Sequence, residues 1–398
     1  MIDKPLYISV MLLLTLSLIM SYSLSTYTII LYHYNDFHFF LRQLGAVFIG
    51  LILMIFLSKL DPDKWFNRIG FLLFISFFLL MIIMQFMPSS MVRAVGGAKR
   101  WIHLGPASIA PVEFFKVGFV FFLAWSFSRK LQNKGKATIK EEFKMFMPYL
   151  FVFAIVVVLI AILQKDLGQT VVLGGTLAIL FVLAGRSMKF FMILTALGFT
   201  SFVGLIIMAP HRMQRILSWW STVQDTILSF FPFEVVKVLQ VEAGKEPYQI
   251  SNSLNAIQNG GLWGQGLGNG QFKLGYISEV HTDFVLAGLT EELGFVGLCL
   301  VILTFLFLIF RLKKIAGDVD EPHYYLFTVG VSLLISLALI INSYGISGIT
   351  PIKGIAIPLL SYGGSQVVAN SIAIGMVLMI SKKRRKWHYQ KTVIKENE

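Results

Sequence analysis

Residues 284–310 read FVLAGLTEELGFVGLCLVILTFLFLIF, and this run decides the fold class. Only Glu291 and Glu292 carry a charge in it. A helix rises about 1.5 Å per residue, so roughly 20 mostly apolar residues cross a hydrocarbon layer of about 30 Å. The run therefore predicts a helix that spans a membrane.

The rest of the chain repeats this pattern, because its composition is 56% hydrophobic and 14% charged with a mean hydropathy of +0.74. One soluble core cannot use that much apolar surface. We predict an all-α polytopic membrane protein of one domain, residues 1–398, with ten transmembrane helices and both termini on one side. The predicted spans are 7–31, 40–57, 69–87, 109–127, 147–163, 170–183, 190–208, 284–310, 324–341 and 367–380.

Lysine and arginine give the orientation, since loops rich in these residues stay in the cytoplasm. Of the 34 in the chain, 22 fall on the side of the N-terminus, including those of a basic tail at 382–398. Both termini are therefore predicted to be cytoplasmic. The longest outer segment is the loop at 209–282, between the seventh and eighth helices. Within it, residues 215–220 and 248–259 are predicted to be helical, the first along the membrane interface.

The net charge of +13 is explained by these cytoplasmic loops facing anionic lipid, so nucleic acid is not predicted as a partner. A single cysteine, Cys299, excludes a disulfide framework and a cysteine-rich metal site. The other 12 lysines and arginines lie on the outer side, against the orientation rule. Their retention there predicts an anionic partner.

Glycine, proline and charge are concentrated in the outer segments beyond what a connecting loop requires. The segments are GAKRWIHLGP (97–106), PVEFFK (111–116), QKDLG (164–168), GGLWGQGLG (260–268), EVHTDF (279–284), PIKG (351–354) and SYGGS (361–365). In this order they resemble the motifs of the SEDS family of peptidoglycan polymerases over nearly the whole chain. Val112, Lys165 and Gln366 depart from the family's usual Ser, Pro and Ser or Thr, which bears on loop geometry. The glycines at 260–268 are explained most simply by turns and close backbone approach.

The resemblance implies a bacterial inner-membrane enzyme acting on lipid II, the disaccharide-pentapeptide carried on undecaprenyl pyrophosphate. It would join these units into glycan strands by a single inverting displacement. The family's essential aspartate matches Asp283, which would accept the proton of the acceptor 4-hydroxyl. On position alone, beside the N-cap candidate Thr282, Asp283 is better explained as a charge that stabilises a helix dipole. The motif reverses that preference.

The expected substrate contacts are outer cations and their neighbours: Lys99, Arg100, Trp101, Arg212, Arg215, Lys273, Lys353, Ser361 and Tyr362. Attachment to lipid phosphate or to a partner loop is the alternative for any single cation. Further polar residues with a structural or functional role are Glu113, Lys116, Asp166, His281 and Glu291. Glu113 and Lys116 are three residues apart on one helix and are better explained as an ion pair. Glu291 is predicted to lie roughly 12 Å below Asp283, too far to join the chemistry.

The sequence has no cluster of His and Cys with metal-ligand spacing, so Mg²⁺ or Mn²⁺ is expected only with the substrate pyrophosphate and a carboxylate. The lysines of the GAKRW and PIKG motifs, Lys99 and Lys353, are similar to the residues that the division branch of the family has at these places. That branch implies a place at the septum and a class B penicillin-binding protein, with other division proteins, as partners. The elongation branch stays an alternative, as does a lipid II flippase. A transporter would place its charges near the membrane midplane, whereas this chain concentrates them at the outer ends of its spans.

Overall fold

The computed structural model describes residues 3–94, 97–105, 107–130, 138–185, 187–229, 232, 236, 240, 248–352 and 354–396, most of which are helical. The helices are α1 Lys4–Ser23, α2 Thr26–Tyr32, α3 His38–Lys59, α4 Pro62–Ile83, α5 Pro111–Lys130, α6 Ile139–Val157, α7 Leu167–Leu183, α8 Met188–Ile207, α9 Pro210–Leu228, α10 Tyr248–Gly260, α11 Val285–Gly317, α12 Pro322–Ile346 and α13 Gly364–Glu396. A π-helical turn, Val158–Leu163, continues α6. Two strands, β1 Ile102–Leu104 and β2 Ala107–Ile109, form a hairpin.

Nine helical segments of the described residues are long and apolar enough to cross a membrane. They are α1, α3, α4, α5, α6 with its π-helical turn, α8, α11, α12 and α13. Helix α7 is apolar but has only 17 residues, and it lies where the sequence predicts the sixth span. The predicted polytopic helical membrane fold is confirmed, while the count of ten spans stays a prediction.

Helix α5 lies at the centre of the bundle, where it packs against α4, α7, α12 and α13. Its side chains Phe115, Phe121 and Phe127 are fully buried. Gly118 allows α5 to approach α4 closely, because a Cβ there would lie 2.4 Å from the backbone nitrogen of Phe74. Helix α8 has the smallest buried share of the nine segments, 17%, as expected for a helix that faces lipid.

Polar contacts join the helix ends at two faces of the bundle. At one face, Arg311 of α11 binds the Asp3 carboxylate with an N–O distance of 2.6 Å, and Lys383 of α13 binds Glu321, before α12, at 2.7 Å. The beginning of α1 and the end of the last span therefore lie on the same side, the side predicted to be cytoplasmic. The opposite ends form the outer face.

Helix α11 differs from the predicted eighth span because it breaks at Gly294, where φ is 72° and ψ is −178°. The two ends of α1 contact α11 at Arg311 and at Glu292. The 20 residues of α1 between these two contacts span about 30 Å at 1.5 Å per residue, close to one hydrocarbon thickness. The crossing part of α11 therefore follows Gly294, and residues 285–293 form a separate outer segment.

The first span is shorter than the predicted 7–31, because two helices occupy that range. Helix α1 ends at Ser23, and α2 begins at Thr26. At the junction, serine hydroxyls compete for the backbone: Ser25 Oγ donates to the carbonyl of Ser21 at 2.7 Å. The Ser23 hydroxyl donates to α11 instead. Bonded hydroxyl groups inside an apolar run therefore mark the position of the break.

The hairpin departs from the all-α prediction. Strands β1 and β2 pair antiparallel with Ile102 opposite Ile109, and Gly105 adopts the left-handed φ of 62° after β1. The sequence predicts Ile109 as the start of the fourth span, but α5 begins at Pro111. The hairpin begins two residues after Arg100 and ends two residues before α5, at its outer end.

Candidate active site

A cavity of about 360 Å³ opens at the outer face of the bundle. Five parts of the chain line it, within 98–101, 165–168, 206–216 and 351–354 and at Asp283. The lining brings together six residues that the sequence predicts for the site: Arg100, Trp101, Asp166, Arg212, Arg215 and Asp283.

Hydrogen bonds to three consecutive backbone carbonyls position Asp283. Its own carbonyl accepts from Asn342 Nδ2 at 2.6 Å, and the preceding carbonyl accepts from Ser361 Oγ at 2.6 Å. The carbonyl of His281 accepts from the backbone nitrogen of Tyr362 at 2.9 Å. Ser361 and Tyr362, predicted as substrate contacts, do not line the cavity and instead support the Asp283 loop.

The helix-capping explanation of Asp283 is wrong. Helix α11 has Phe284 as its N-cap, with no side-chain cap bond, and it has no acidic residue in its first turn. The N-cap candidate Thr282 donates its hydroxyl to the carbonyl of Glu279. Among the residues that the structure describes, none donates a hydrogen bond to the Asp283 carboxylate, which lines the cavity.

The surroundings of Asp283 raise the pKa of its carboxyl group from 3.8 to about 7. Burial is the largest cause, and the negative charges of Glu279 and Asp166 add to it. The guanidinium groups of Arg100 and Arg215 oppose the rise. A carboxylate with this pKa takes up a proton near neutral pH, which suits a general base.

Gly354 brings the PIKG motif against this carboxyl group. Its φ is 62°, and a Cβ at this position would lie 3.1 Å from Asp283 Oδ2. A side chain here would strain the backbone and crowd the carboxylate. Lys353, which the sequence predicts as a substrate contact, lies outside the described residues.

The end of α6 and the turn after it hold two arginines that line the cavity. The π-helical turn, a form that often occurs at functional sites, presents a backbone carbonyl to one of them. Arg212 donates to the carbonyl of Ala161 at 2.6 Å, and Arg100 donates to two carbonyls just beyond the turn at 2.8 and 3.0 Å. Both guanidinium groups are therefore held in fixed positions at the cavity.

Arg215 differs from these two arginines. It lines the same cavity from α9, nearly one helical turn after Arg212, and its side chain is exposed. It makes no hydrogen bond with any residue in the described part of the chain. Its five donors are therefore available to an anion in the cavity.

Asp166 closes the turn between α6 and α7. Its carboxylate caps α7 by accepting a hydrogen bond from the backbone nitrogen of Gln169 at 3.0 Å, and burial raises its pKa against the opposing charge of Arg100. The preceding Lys165 has a left-handed φ of 53°. Proline, the family's usual residue here, is locked near −65°. The left-handed conformation seen here is therefore one that proline could not adopt.

Glu113 and Lys116 form an ion pair with an N–O distance of 2.8 Å. Gln169 joins both residues, since it accepts from Lys116 Nζ at 2.9 Å and donates to Glu113 Oε1 at 3.2 Å. None of the three lines the cavity. These contacts agree with the structural interpretation of the pair.

Two predicted substrate contacts lie away from the cavity. Lys99 Nζ donates to the carbonyl of Gln85 at 2.8 Å. Lys273 is buried, with its Nζ 2.7 Å from Glu292 Oε1 and 3.2 Å from Ser23 Oγ. The prediction that Lys273 meets substrate is therefore wrong, because a buried ammonium is bound by its charged partner. Lys99 has a structural contact too, because it binds a backbone carbonyl outside the cavity.

Glu291 and His281 also have structural surroundings. Glu291 Oε1 accepts hydrogen bonds from Asn259 Nδ2 at 2.9 Å and from the backbone nitrogen of Gln271 at 2.7 Å. Because α11 breaks beyond it, the predicted depth of Glu291 in one straight span is wrong. His281 is buried with its ring against Phe39, and this burial lowers its pKa.

Sequence reasoning missed Asn342. This buried residue of α12 donates to the carbonyl of Asp283 and to that of Ile355, both at 2.6 Å. An amide inside an apolar run signals a polar contact within the bundle. The signal was present in the sequence, but the partners were not.

Comparisons with known proteins agree with this geometry. Residues 4–386 match the family described as cell cycle protein, which groups FtsW, RodA and SpoVE. A probable peptidoglycan glycosyltransferase FtsW of Helicobacter pylori is 49% identical over 381 residues, covering 96% of this chain and 98% of the relative. The stage V sporulation protein E of Bacillus subtilis is 36% identical over 386 residues, with the same coverage.

Solved structures of low sequence identity share the fold. The crystal structure of the rod shape determining protein RodA of Thermus thermophilus matches with a TM-score of 0.63 at 22% identity, covering 96% of this chain and 97% of that one. A chain of a peptidoglycan synthase complex matches with a TM-score of 0.71 at 22% identity, covering 96% and 98%. The resemblance carried by the ordered motifs is thereby confirmed, and the chain belongs to the FtsW, RodA and SpoVE family of cell cycle proteins, the SEDS family.

Proposed function

We propose that this chain is a peptidoglycan glycosyltransferase that polymerises lipid II, with Asp283 as its general base. One observation carries the proposal: a single outer cavity joins an Asp283 carboxyl of pKa about 7 to Arg100, Arg215 and the ring of Trp101. A proton acceptor, cations and an apolar platform are the groups that glycosyl transfer from a pyrophosphate requires.

In the proposed reaction the 4-hydroxyl oxygen of the acceptor sugar attacks C1 of the donor sugar. The bond from C1 to the pyrophosphate oxygen breaks, and its electron pair leaves with undecaprenyl pyrophosphate. The hydroxyl proton passes to the Asp283 carboxylate, and the α-linkage becomes β in this single displacement. Arg215, with Arg100 and Arg212 behind it, stabilises the charge that develops on the departing pyrophosphate.

A divalent cation fits this arrangement only in company with the substrate. No group of three or more His, Cys, Asp or Glu that could hold a metal occurs among the described residues. Two carboxylates, Asp166 and Asp283, nevertheless line the cavity. Asp166 would hold Mg²⁺ or Mn²⁺ bound to the pyrophosphate through Oδ2, since its Oδ1 caps α7, and such an ion would neutralise charge.

The relatives favour a role in septal wall synthesis during cell division. Those named FtsW reach 49% identity, whereas the RodA structure, from a rod shape determining protein, is 22% identical. We therefore propose a place in the bacterial inner membrane at the septum. A class B penicillin-binding protein that crosslinks the new strand is the proposed partner, supported by the likeness to a chain of a peptidoglycan synthase complex.

Reconstitution tests the activity. The purified protein is placed in liposomes with labelled lipid II, with and without the class B penicillin-binding protein. Ladders of glycan strands are the expected product. Movement of label between leaflets without ladders would replace the proposal with a flippase. The absence of both ladders and label movement would support a scaffold for division proteins instead.

A further inference from the structure

Exposed apolar side chains on the outer loop have no part in the proposed reaction. Leu262, Trp263 and Leu267 are 64%, 80% and 54% exposed, and we call these three residues the loop tip. Phe295 of α11, which lies beside them, is 53% exposed. Exposed apolar surface of this kind marks an interaction site.

The loop is fixed on the break in α11. The backbone nitrogen of Phe295 donates to the carbonyl of Gly261 at 2.9 Å, and that of Val296 donates to the carbonyl of Leu262 at 3.1 Å. These two amides follow Gly294 and so lack the usual helical partners. The loop therefore replaces the missing turn of the helix.

Backbone N–H groups of the loop donate in turn to carbonyls of α11 that precede the break. The backbone nitrogen of Gln265 donates to the carbonyl of Glu291 at 2.9 Å. Gly264 makes this approach possible, because a Cβ there would lie 2.2 Å from the carbonyl oxygen of Glu292. Paired backbone groups are what non-helical chain needs where it meets a membrane.

The contact between Ser23 and Glu292 gives the depth of this loop, since it marks the outer end of α1. Phe295 and Val296 are the first two residues of the crossing part of α11, directly after the break at Gly294. Leu262 is hydrogen-bonded to Val296, so the loop tip lies at that depth. This is the boundary between headgroups and acyl chains, where tryptophan is enriched.

We propose that residues 261–268 form an interfacial anchor, which inserts Leu262 and Trp263 into the outer leaflet of the membrane. Lipid is the partner that fits, because no charged residue occurs from Gly260 to Phe272, and the depth is that of the interface. The anchor sets the height of the segment that leads from this loop to Asp283. It does not depend on the reaction proposed above.

Spin labels measure this depth directly. The chain has one cysteine, so Cys299→Ala provides a cysteine-free background. Single labels are placed by Trp263→Cys and Leu262→Cys in the full chain, in nanodiscs of phosphatidylethanolamine and phosphatidylglycerol. Collisions with oxygen, which concentrates in lipid, are compared with collisions with a water-soluble nickel chelate. Phe48→Cys, at a side chain 64% exposed midway along α3, is the lipid control, and Glu279→Cys, in the outer loop, is the water control.

The anchor predicts a ratio of oxygen to nickel collisions that is several-fold higher at 262 and 263 than at 279, and lower than at 48. Nickel collisions equal to those at 279 would place the loop in water and overturn the proposal. Low collision rates with both reagents would place it in a protein contact, such as a second copy of the chain, and would also overturn it. Two label positions keep the test valid if one variant does not fold. The readout needs no lipid II, so it is separate from any failure of the polymerase assay.

Discussion

Two carboxylates nine residues apart, Asp283 just before α11 and Glu292 within it, have opposite surroundings. Glu292 is buried and accepts from Ser23 Oγ at 2.6 Å and from Lys273 Nζ at 2.7 Å. Asp283 lines an open cavity, and its pKa is raised to about 7. A buried carboxylate that is paired is costly to unpair and so is tied to the fold, whereas one left without partners is available for proton transfer. Proximity in sequence therefore says little about which acidic residue performs chemistry.

The largest expected effect comes from removing the cation that pairs with Glu292. Lys273→Ala leaves the Glu292 carboxylate buried without its cation, so the free energy of unfolding should fall by about 3–5 kcal/mol. Thermal unfolding in nanodiscs measures it. The paired replacement Lys273→Met with Glu292→Leu is the control and should lose less. An unchanged unfolding temperature in the single variant would contradict the structural role of Lys273.

A second prediction concerns the free and bound arginines of the cavity. Arg215→Ala removes a cation that makes no hydrogen bond with a described residue, so turnover of lipid II should fall about a hundredfold while stability is unchanged. Arg212→Ala is the matched control. It should lower both turnover and the unfolding temperature, because Arg212 also binds carbonyls of Leu205 and Ala161. Normal turnover of the Arg215→Ala variant would show that Arg215 has no role in the reaction.

Asn342 is expected both to stabilise the fold and to position Asp283. Asn342→Ala leaves the carbonyls of Asp283 and Ile355 without their donor, which should cost about 1–3 kcal/mol of stability. Turnover should fall as well, because the Asp283 loop loses a contact that positions it. Ser343→Ala, at the neighbouring position, is the control. A loss of stability with full turnover would show that the contact does not position the base.

The smallest expected effect is on pH dependence. Turnover should rise as pH passes through about 7, because the base acts only when deprotonated. The negative charge of Glu279 raises the pKa of Asp283, so Glu279→Gln should move the rising limb to lower pH by a fraction of a unit. Initial rates between pH 5 and 9 measure the shift. A shift to higher pH would contradict the assignment of the base.

Composition and apolar runs predicted the membrane helices well, because lipid requires long apolar segments with internal hydrogen bonds. The breaks at Ser23 and Gly294 were missed for a physical reason. Ser23 bonds to a residue 269 positions away, and the bonds that replace the missing turn after Gly294 come from the 260–266 loop. Neither contact leaves a periodic signal in the sequence.

The motifs identified most of the cavity, but they could not sort its cations. Lys273 and Arg215 are both basic residues of the outer loop, and only the fold pairs the first with Glu292 while leaving the second exposed. Asp283 was singled out as the proposed base through its motif, since its position alone favoured a helix cap. Whether an outer cation has a structural role or faces the cavity is decided by contacts with residues that are distant in the sequence.

The central claim is that Asp283 serves the reaction at a cost in stability. Its raised pKa means that its contribution to stability is complete below 3.8 and is lost as pH rises through about 7, when the folded protein must ionise a carboxyl group that burial disfavours. Asp283→Asn avoids that ionisation.

The direct measurement compares Asp283→Asn with the unmodified chain at pH 8, by glycan ladders from lipid II and by thermal unfolding of the same samples. We expect no ladder and an unfolding temperature equal to or above that of the unmodified chain. Ladders of normal length and rate from Asp283→Asn would contradict the account, and so would a lowered unfolding temperature, since it would make Asp283 a structural residue like Glu292.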